Sequence, residues 1–273
     1  MSVSHFLQQR LGITKPFVQA PMAGVQDSRL AIAVCQAGGL GSLPCAMLGL
    51  EQIEQHIGKI RDATNQAFNV NFFAHQQGEY TPAMQQQWFD ALQSYYTEFG
   101  LTEADIATTG GRQPFGREQA ELIADLKVPV VSFHFGLPQP ELLQIVKDAG
   151  ALVLSSATTV AEARWLEAHG ADVIIAQGLE AGGHRGHFLS TDVTRQAGTF
   201  SLLPTIIKAV KLPVIAAGGI SNAITAQAAF DLGASAIQVG TALLLADESD
   251  TKPFHRAALQ SDAAEHTVST NLF

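Results

Sequence analysis

Cysteine is nearly missing from this chain: Cys35 and Cys45 are the only thiols in 273 residues. Two thiols do not make a disulfide framework, so a reducing compartment is the simple setting and a cytoplasmic protein is expected. A basic excess is missing as well. Lys and Arg number 16 against 25 Asp and Glu, a net charge of −9. That balance disfavours nucleic acid and anionic membrane surfaces as partners. No apolar run reaches the roughly 18 uncharged residues that a membrane span needs, so none is expected. The first residues, MSVSHFL, show no basic stretch leading into an apolar one, and no signal peptide is expected. Tyr and Trp are scarce, at 3 and 2, and charged residues make up only 15%. What is abundant is apolar residues, at 47%, and glycine, at 24. Such a chain is too apolar for disorder and long enough for a sizeable core. Its length of 273 residues suggests two domains at about 150 each, yet α/β barrels commonly run as one.

Eight short, near-continuous apolar runs stand out: Phe17–Met22, Leu40–Pro44, Phe68–Phe73, Pro129–Phe135, Ala151–Ser155, Asp172–Gln177, Pro213–Ala217 and Ala236–Gly240. Runs of this kind, without polar alternation, mark strands buried on both faces of a parallel sheet. Helical stretches separate them: Ser28–Ala37, Leu50–Ala63, Pro82–Phe99, Arg117–Leu126, Gln139–Asp148, Thr159–His169, Leu202–Val210 and Ala223–Leu232. Thr81-Pro82 reads as an N-cap with proline at the first helical position. Gly38, Gly100, Gly150, Gly170 and Gly233 each follow a helical stretch and read as helix stops.

Eight strands alternating with helices predict an α/β fold, a (β/α)8 TIM barrel over residues 1–245, with a short C-terminal helical segment over 246–273. The open doubly wound sheet is the second choice. Two connections are unusually long, Ala74–Gln113 and Gly178–Ser201, and long loops in compact domains tend to be functional.

A barrel builds its site at the C-terminal ends of its strands. Gly218-Gly219 after the seventh strand and Gly240-Thr241 after the eighth either make tight turns or expose backbone amides at loops and helix starts. Two neighbouring loops in this order favour the second reading, a phosphate site. Asn71 and Gln177 are amides suited to a planar ring bearing carbonyls and nitrogens, or else satisfied core amides. Ala20, Pro21 and Met22 either line such a ring or simply pack. The sharpest local feature is Gly182-Gly183-His184-Arg185-Gly186. The glycines allow close approach, and a histidine ordinarily titrates near neutrality, so this residue type suits a base or an anion partner. His134 is a second candidate for substrate contact, with a buried structural imidazole as its equal rival. His184 and His187 lack a supporting cluster of acidic or thiol ligands, and no metal is expected. Serine hydrolysis lacks its motif.

Seven segments together carry a family resemblance: QAPMAGV (19–25), AGGLGSLPCAML (37–48), NVNFF (69–73), VVSFHFG (130–136), AQGLEAGGHRG (176–186), PVIAAGGI (213–220) and IQVGTALLL (237–245). In this order and along the whole chain, they resemble the nitronate monooxygenases. The resemblance implies a barrel binding FMN non-covalently, with contacts from Ala20, Pro21, Met22, Asn71, Gln177, Gly182, Gly183, Gly218, Gly219, Gln238, Val239, Gly240 and Thr241. It implies that His184 is the active-site histidine. It further implies oxidation of alkyl nitronates, such as propionate 3-nitronate, by O2 to a carbonyl compound and nitrite. Members of that family continue past a TNLF-like stretch, so the segment ending at Phe273 is expected to be an incomplete lid lobe. The partners expected are the small substrate and O2, and a homo-oligomer is compatible with all of this. An enoyl-acyl-carrier-protein reductase using NAD(P)H shares the AGGH loop and is the nearest rival. An IMP-dehydrogenase-like barrel would need a cysteine among 178–201, where none occurs. A flavin-binding protein without catalysis is the rival of another class.

Overall fold

The computed structural model describes residues 5–76, 78, 81–105 and 113–270. The first four residues, Met1–Ser4, and the last three of the TNLF stretch lie outside the described residues. Eight strands form one parallel sheet: β1 (Phe17–Gln19), β2 (Gly41–Pro44), β3 (Phe68–Phe73), β4 (Val130–His134), β5 (Leu152–Ala157), β6 (Val173–Gln177), β7 (Val214–Ala217) and β8 (Ala236–Val239). Each strand from β2 to β8 pairs with its neighbour in sequence, and β8 pairs with β1. A parallel bridge between Val18 and Leu40 joins β1 to the start of β2 and closes the barrel. This is the (β/α)8 architecture that the run of eight strands predicts.

The closing seam is thin, and a side chain completes it. Gln19 lies fully buried at the end of β1. Its Nε2 donates to the Ser42 carbonyl at 3.1 Å, and its Oε1 accepts from the Ser42 amide at 3.1 Å. The Ser42 hydroxyl donates to the Gln19 carbonyl at 2.6 Å. A carboxamide thus replaces the missing rungs of the ladder, so the buried backbone of β2 is not left unpaired.

Successive strand residues face opposite sides, and two buried clusters show it. One contains Ile53, Ile57, Ile123, Val146, Leu166 and Ile206 from the helices, together with Leu43, Val70, Val131, Val153, Ile174, Ala216 and Ile237 from the strands. It is the layer between sheet and helices. The other contains Val18, Leu40, Val130, Leu152, Leu154, Val173, Ile175, Ile215 and Ala236, and it fills the barrel. Leu7 and Ile13 join this second cluster. Leu7 belongs to a helix that the sequence pattern does not reveal, α1 (Phe6–Leu11), which seats on the barrel filling. Six residues are too few to show a helical period.

The remaining helices are α2 (Ser28–Gln36), α3 (Leu50–Ala63), α4 (Pro82–Phe99), α5 (Arg117–Asp125), α6 (Pro140–Asp148), α7 (Val160–Ala168), α8 (Thr199–Ala209), α9 (Ala223–Asp231) and α10 (Pro253–Leu259). All five predicted stop glycines carry positive φ, between 67° and 104°. Most element boundaries lie within one or two residues of expectation, and the larger departures are at β1, α8 and the tail. β1 ends at Gln19 because Ala20 makes the last link to β8, its amide donating to the Val239 carbonyl at 2.8 Å. α8 begins three residues early, and the tail helix from Pro253 ends at Leu259, followed by one 3-10 turn over Asp262–Glu265. The tail is tied to the barrel mouth: the Asp250 amide donates to the Val25 carbonyl at 2.8 Å, and Arg29 pairs with Asp250.

Candidate active site

By strand parity, the interior positions toward the C-terminal ends are Asn71 and Phe73 on β3, Ser132 and His134 on β4, Ser156 on β5, Gln177 on β6 and Gln238 on β8. Apolar filling gives way here to amides, hydroxyls and imidazole. Asn71 is buried, its Nδ2 donating to the Ser132 hydroxyl at 2.9 Å and the Ser132 carbonyl at 3.1 Å. Below it, Asn69 donates to both Ser42 and Ser132 hydroxyls while its Oδ1 has no partner. Gln238 is half-buried, and its side-chain carboxamide bonds to nothing among the described residues.

The loop after β6 lies over this mouth. His184 is exposed, with its ring edge-on to Phe73 at 5.4 Å and to Phe135 at 5.9 Å between centroids. Phe135 takes up a left-handed backbone, φ 68°, unusual for a bulky residue and a mark of local strain. The backbone carbonyl of His184 accepts from Gln177 Nε2 at 2.9 Å and from His134 Nε2 at 3.1 Å. Gln177 Oε1 accepts from the Gly186 amide at 2.7 Å. Both ends of the Gln177 carboxamide therefore hold the loop.

Three charged residues anchor the loop further. Arg185 reaches under it, donating to the Gly178 carbonyl at 2.6 Å, the Gln177 carbonyl at 3.2 Å and Gln196 Oε1 at 2.9 Å. Glu162 on α7 is fully buried; one oxygen accepts from the Thr158 amide and hydroxyl at 2.7 and 2.8 Å. Its other oxygen accepts from the Phe188 amide at 2.8 Å and the Leu189 amide at 3.3 Å. Glu180 caps α8, accepting from the Thr199 amide at 2.7 Å and hydroxyl at 2.9 Å. Burial pushes the Glu180 carboxyl up, but those bonds, its own amide and nearby Arg185 outweigh it and leave it below the usual carboxylate range. This long-range cap is why α8 starts at Thr199. Glu180 and Arg185 lie within the AQGLEAGGHRG segment, but nothing local marks them as anchors, and Glu162 lies in no motif.

His134 is held neutral. Burial pulls its imidazole down to about 4; the bond to the His184 carbonyl pushes the other way, and His184, Arg185 and His187 add to the lowering.

Beside the loop lies a surface of small residues. A Cβ placed on Gly240 would sit 3.3 Å from Ala20 Cβ and 3.5 Å from Met22 Sδ. One on Gly182 would sit 3.4 Å from Thr241 Oγ1, and one on Gly219 would sit 3.3 Å from Glu180 Cβ. Ala20, Met22, Gly240, Thr241, Gly182, Glu180 and Gly219 thus run as one connected surface. Gly183, φ 74°, has nothing within 4 Å. Gly218 differs from its neighbours: with φ 115°, its Cβ position lies 2.8 Å from the Ala181 amide, so close packing dictates glycine there. The amides of Gly219 and Gly240 donate to no group among the described residues. Val239 turns its side chain to the helix layer, and only its backbone faces this region. No interaction of Pro21 distinguishes it. β8 is followed by a single 3-10 turn, Thr241–Leu243, and the α9 start is already capped by Asn222, which accepts from the Ile224 and Thr225 amides. Any anion here therefore meets loop amides and not a helix terminus, which differs from the expected helix-start contribution.

Among the described residues, no three His, Cys, Asp or Glu side chains cluster to hold a metal, and no helix is long and apolar enough to cross a membrane.

The family model described as nitronate monooxygenase matches residues 4–273. This chain belongs to the nitronate monooxygenase family. A nitronate monooxygenase of Paraburkholderia phytofirmans is 41% identical over 264 residues, 95% of this chain and 71% of that protein. One of Pseudomonas aeruginosa is 40% identical, covering 95% of this chain and 74% of its own length. Among solved structures, a nitroalkane oxidase from Streptomyces ansochromogenes superposes with a TM-score of 0.85 at 38% identity, over 94% of this chain and 73% of that one. FabK from Thermotoga maritima superposes with a TM-score of 0.69 at 29% identity, over 93% and 67%. A nitronate monooxygenase is an oxidoreductase, and family membership implies a flavin cofactor.

Proposed function

We propose that the barrel mouth binds FMN and oxidises alkyl nitronates, propionate 3-nitronate among them, with O2 to a carbonyl compound and nitrite. The observation that carries this reading is the placement of His184: an exposed imidazole set over the mouth by two donors to its own carbonyl, beside a surface of glycines with unpaired amides. That surface fits a flavin phosphate. The amides of Gly219 and Gly240 offer donors without a competing acceptor, and the absence of a Cβ at 240 keeps backbone open to close approach. Thr241, exposed beside Gly182, adds a hydroxyl. Ala20, Pro21 and Met22 would lie against the ring, with Asn71 and Gln238 supplying amide groups from the barrel interior and Gly182 and Gly183 leaving room, while Gly218 would contribute backbone alone.

When bound, the flavin supplies the one-electron redox chemistry, and the protein supplies position and electrostatics. His184 is the group that meets the substrate. Its exposed ring pairs with the anionic nitronate, or takes the α-proton when the neutral nitroalkane is presented. Phe73 and Phe135 limit the ring's freedom and give the alkyl chain an apolar wall. Glu180 and Glu162, the buried or loop carboxylates nearest in sequence and fold, spend their oxygens on backbone amides and threonine hydroxyls.

The test is oxygen uptake and nitrite release with propionate 3-nitronate, run beside NADH alone. Turnover with the nitronate and no rapid flavin bleaching by NADH is expected. The reverse pattern would move the assignment to an NAD(P)H-dependent reductase. His184→Ala is expected to keep its flavin and lose most nitronate turnover.

A further inference from the structure

Ser156 lies inside the barrel at β5, buried at 4% exposure, amid a run that reads as plain core. Its hydroxyl stands 2.6 Å from His134 Nδ1, and among the described residues it has no other partner. His134 Nε2 stands 3.1 Å from the His184 carbonyl. A carbonyl oxygen only accepts, so Nε2 carries the hydrogen. In a neutral imidazole, Nδ1 is then the acceptor, and the Ser156 O–H is the donor that fits it.

We infer that Ser156 is a positioning residue: its hydroxyl selects the Nε2–H tautomer of His134, and that tautomer clamps the backbone of His184 over the mouth. The opposite tautomer would aim a lone pair of Nε2 at the lone pairs of the His184 carbonyl. The clamp would then repel, leaving Gln177 as the single donor to that carbonyl. The loop is built down onto the pair. A Cβ on Gly186 would meet His134 Cε1 at 2.6 Å and Ser156 Oγ at 2.7 Å, so only glycine lets the loop sit there. The Gly186 amide is in turn held by Gln177 Oε1. The backbone is thus pinned on both sides of Arg185, by β4 and β6 acting together. His134 serves the site from behind and has no ring nitrogen left for substrate.

The importance of the clamp for turnover rests on the reading of His184 proposed above; the tautomer itself does not. Both are tested on the flavin-loaded enzyme. Imidazole 15N shifts of wild type are expected to show His134 protonated at Nε2 and bare at Nδ1. In Ser156→Ala the Nε2–H signature is expected to give way to a tautomer mixture, while Ser156→Thr, which keeps the hydroxyl, is expected to retain it. Nitronate kcat/KM is expected to fall about tenfold in Ser156→Ala with flavin content unchanged, the scale of one buried hydrogen bond. In a His184→Ala background the same substitution is expected to cost nothing more, because its effect runs through His184. A wild-type His134 protonated at Nδ1, or an unchanged tautomer in Ser156→Ala, overturns the inference. So does a tenfold loss that persists in full without the His184 ring. If His184→Ala leaves turnover intact, the functional reading fails instead, and the nitrogen shifts still decide the clamp.

Discussion

Two connections in this barrel are long, and they are built in opposite ways. The one after β3 contains α4, a helix of 18 residues with every local signal in place. The Thr81 hydroxyl caps it by accepting from the Met84 amide, Pro82 opens it, and Gly100 closes it at φ 67°. Yet none of its residues is buried, and Trp88, Tyr95 and Phe99 are 60%, 58% and 72% exposed. The connection after β6 has almost no regular structure, one 3-10 turn at Val193–Arg195, and nevertheless Arg185, Gln177, Glu162 and Glu180 tie it down along its length. Local propensity makes a helix; it does not place it against anything. Distant buried polar groups place a loop without giving it a helix. Loop length alone marks both segments, and only the anchoring distinguishes the one that carries His184.

The strongest test of this contrast removes an anchor. Glu162→Ala takes away a fully buried carboxylate and strands four donors, two on Thr158 and one each on Phe188 and Leu189. The expected cost is about 3 kcal/mol, and a melting temperature lower by roughly 8 °C follows for a domain of this size. Nitronate turnover is expected to fall more than tenfold as the loop loosens. Thermal melts and initial rates check both. A stable, fully active Glu162→Ala would mean that the other anchors hold the loop alone.

A smaller effect is expected at the glycine surface. Gly240→Asp places a carboxylate where a phosphate is proposed, and its Cβ would press on Ala20 and Met22. Flavin affinity of the stripped protein is expected to drop about a hundredfold, roughly 2.7 kcal/mol, with little change in the circular dichroism of the fold. Unchanged affinity in a fluorescence titration would put the phosphate elsewhere.

What was readable in the sequence follows from the range of the forces involved. The eight strands are legible because a parallel strand is apolar on both faces, and the stop glycines because a left-handed C-terminal residue is a local demand. His184 is legible because glycines flank it at the end of a strand. The supports of His184 are not. Glu162 reads as an ordinary first-turn acid on α7, and Ser156 as one small residue in a core strand, yet each acts on residues 22 or more positions away. The start of α8 is hidden in the same way, since its cap is Glu180. Gln177 reads either as a ring contact or as a satisfied core amide, and the structure turns its two polar ends to the loop. Gln19 has no local pattern at all, because its partner, the backbone of Ser42, is defined only once the barrel closes.

The smallest effect is expected on α4. Trp88→Ser removes a large apolar side chain that is 60% exposed and has no buried neighbour on its own helix. Core tryptophans cost several kcal/mol when truncated, because their removal leaves a cavity. No cavity forms here, so the stability change should stay within about 0.5 kcal/mol, as for other exposed positions. Nitronate kcat/KM should also be unchanged, since Trp88 is exposed and makes no hydrogen bond or ring contact among the described residues. A melting temperature lower by several degrees in Trp88→Ser would show that another surface covers this face of α4 in solution. The β3 connection would then share the anchored character of the β6 loop, and the contrast between them would be one of partner and not of kind.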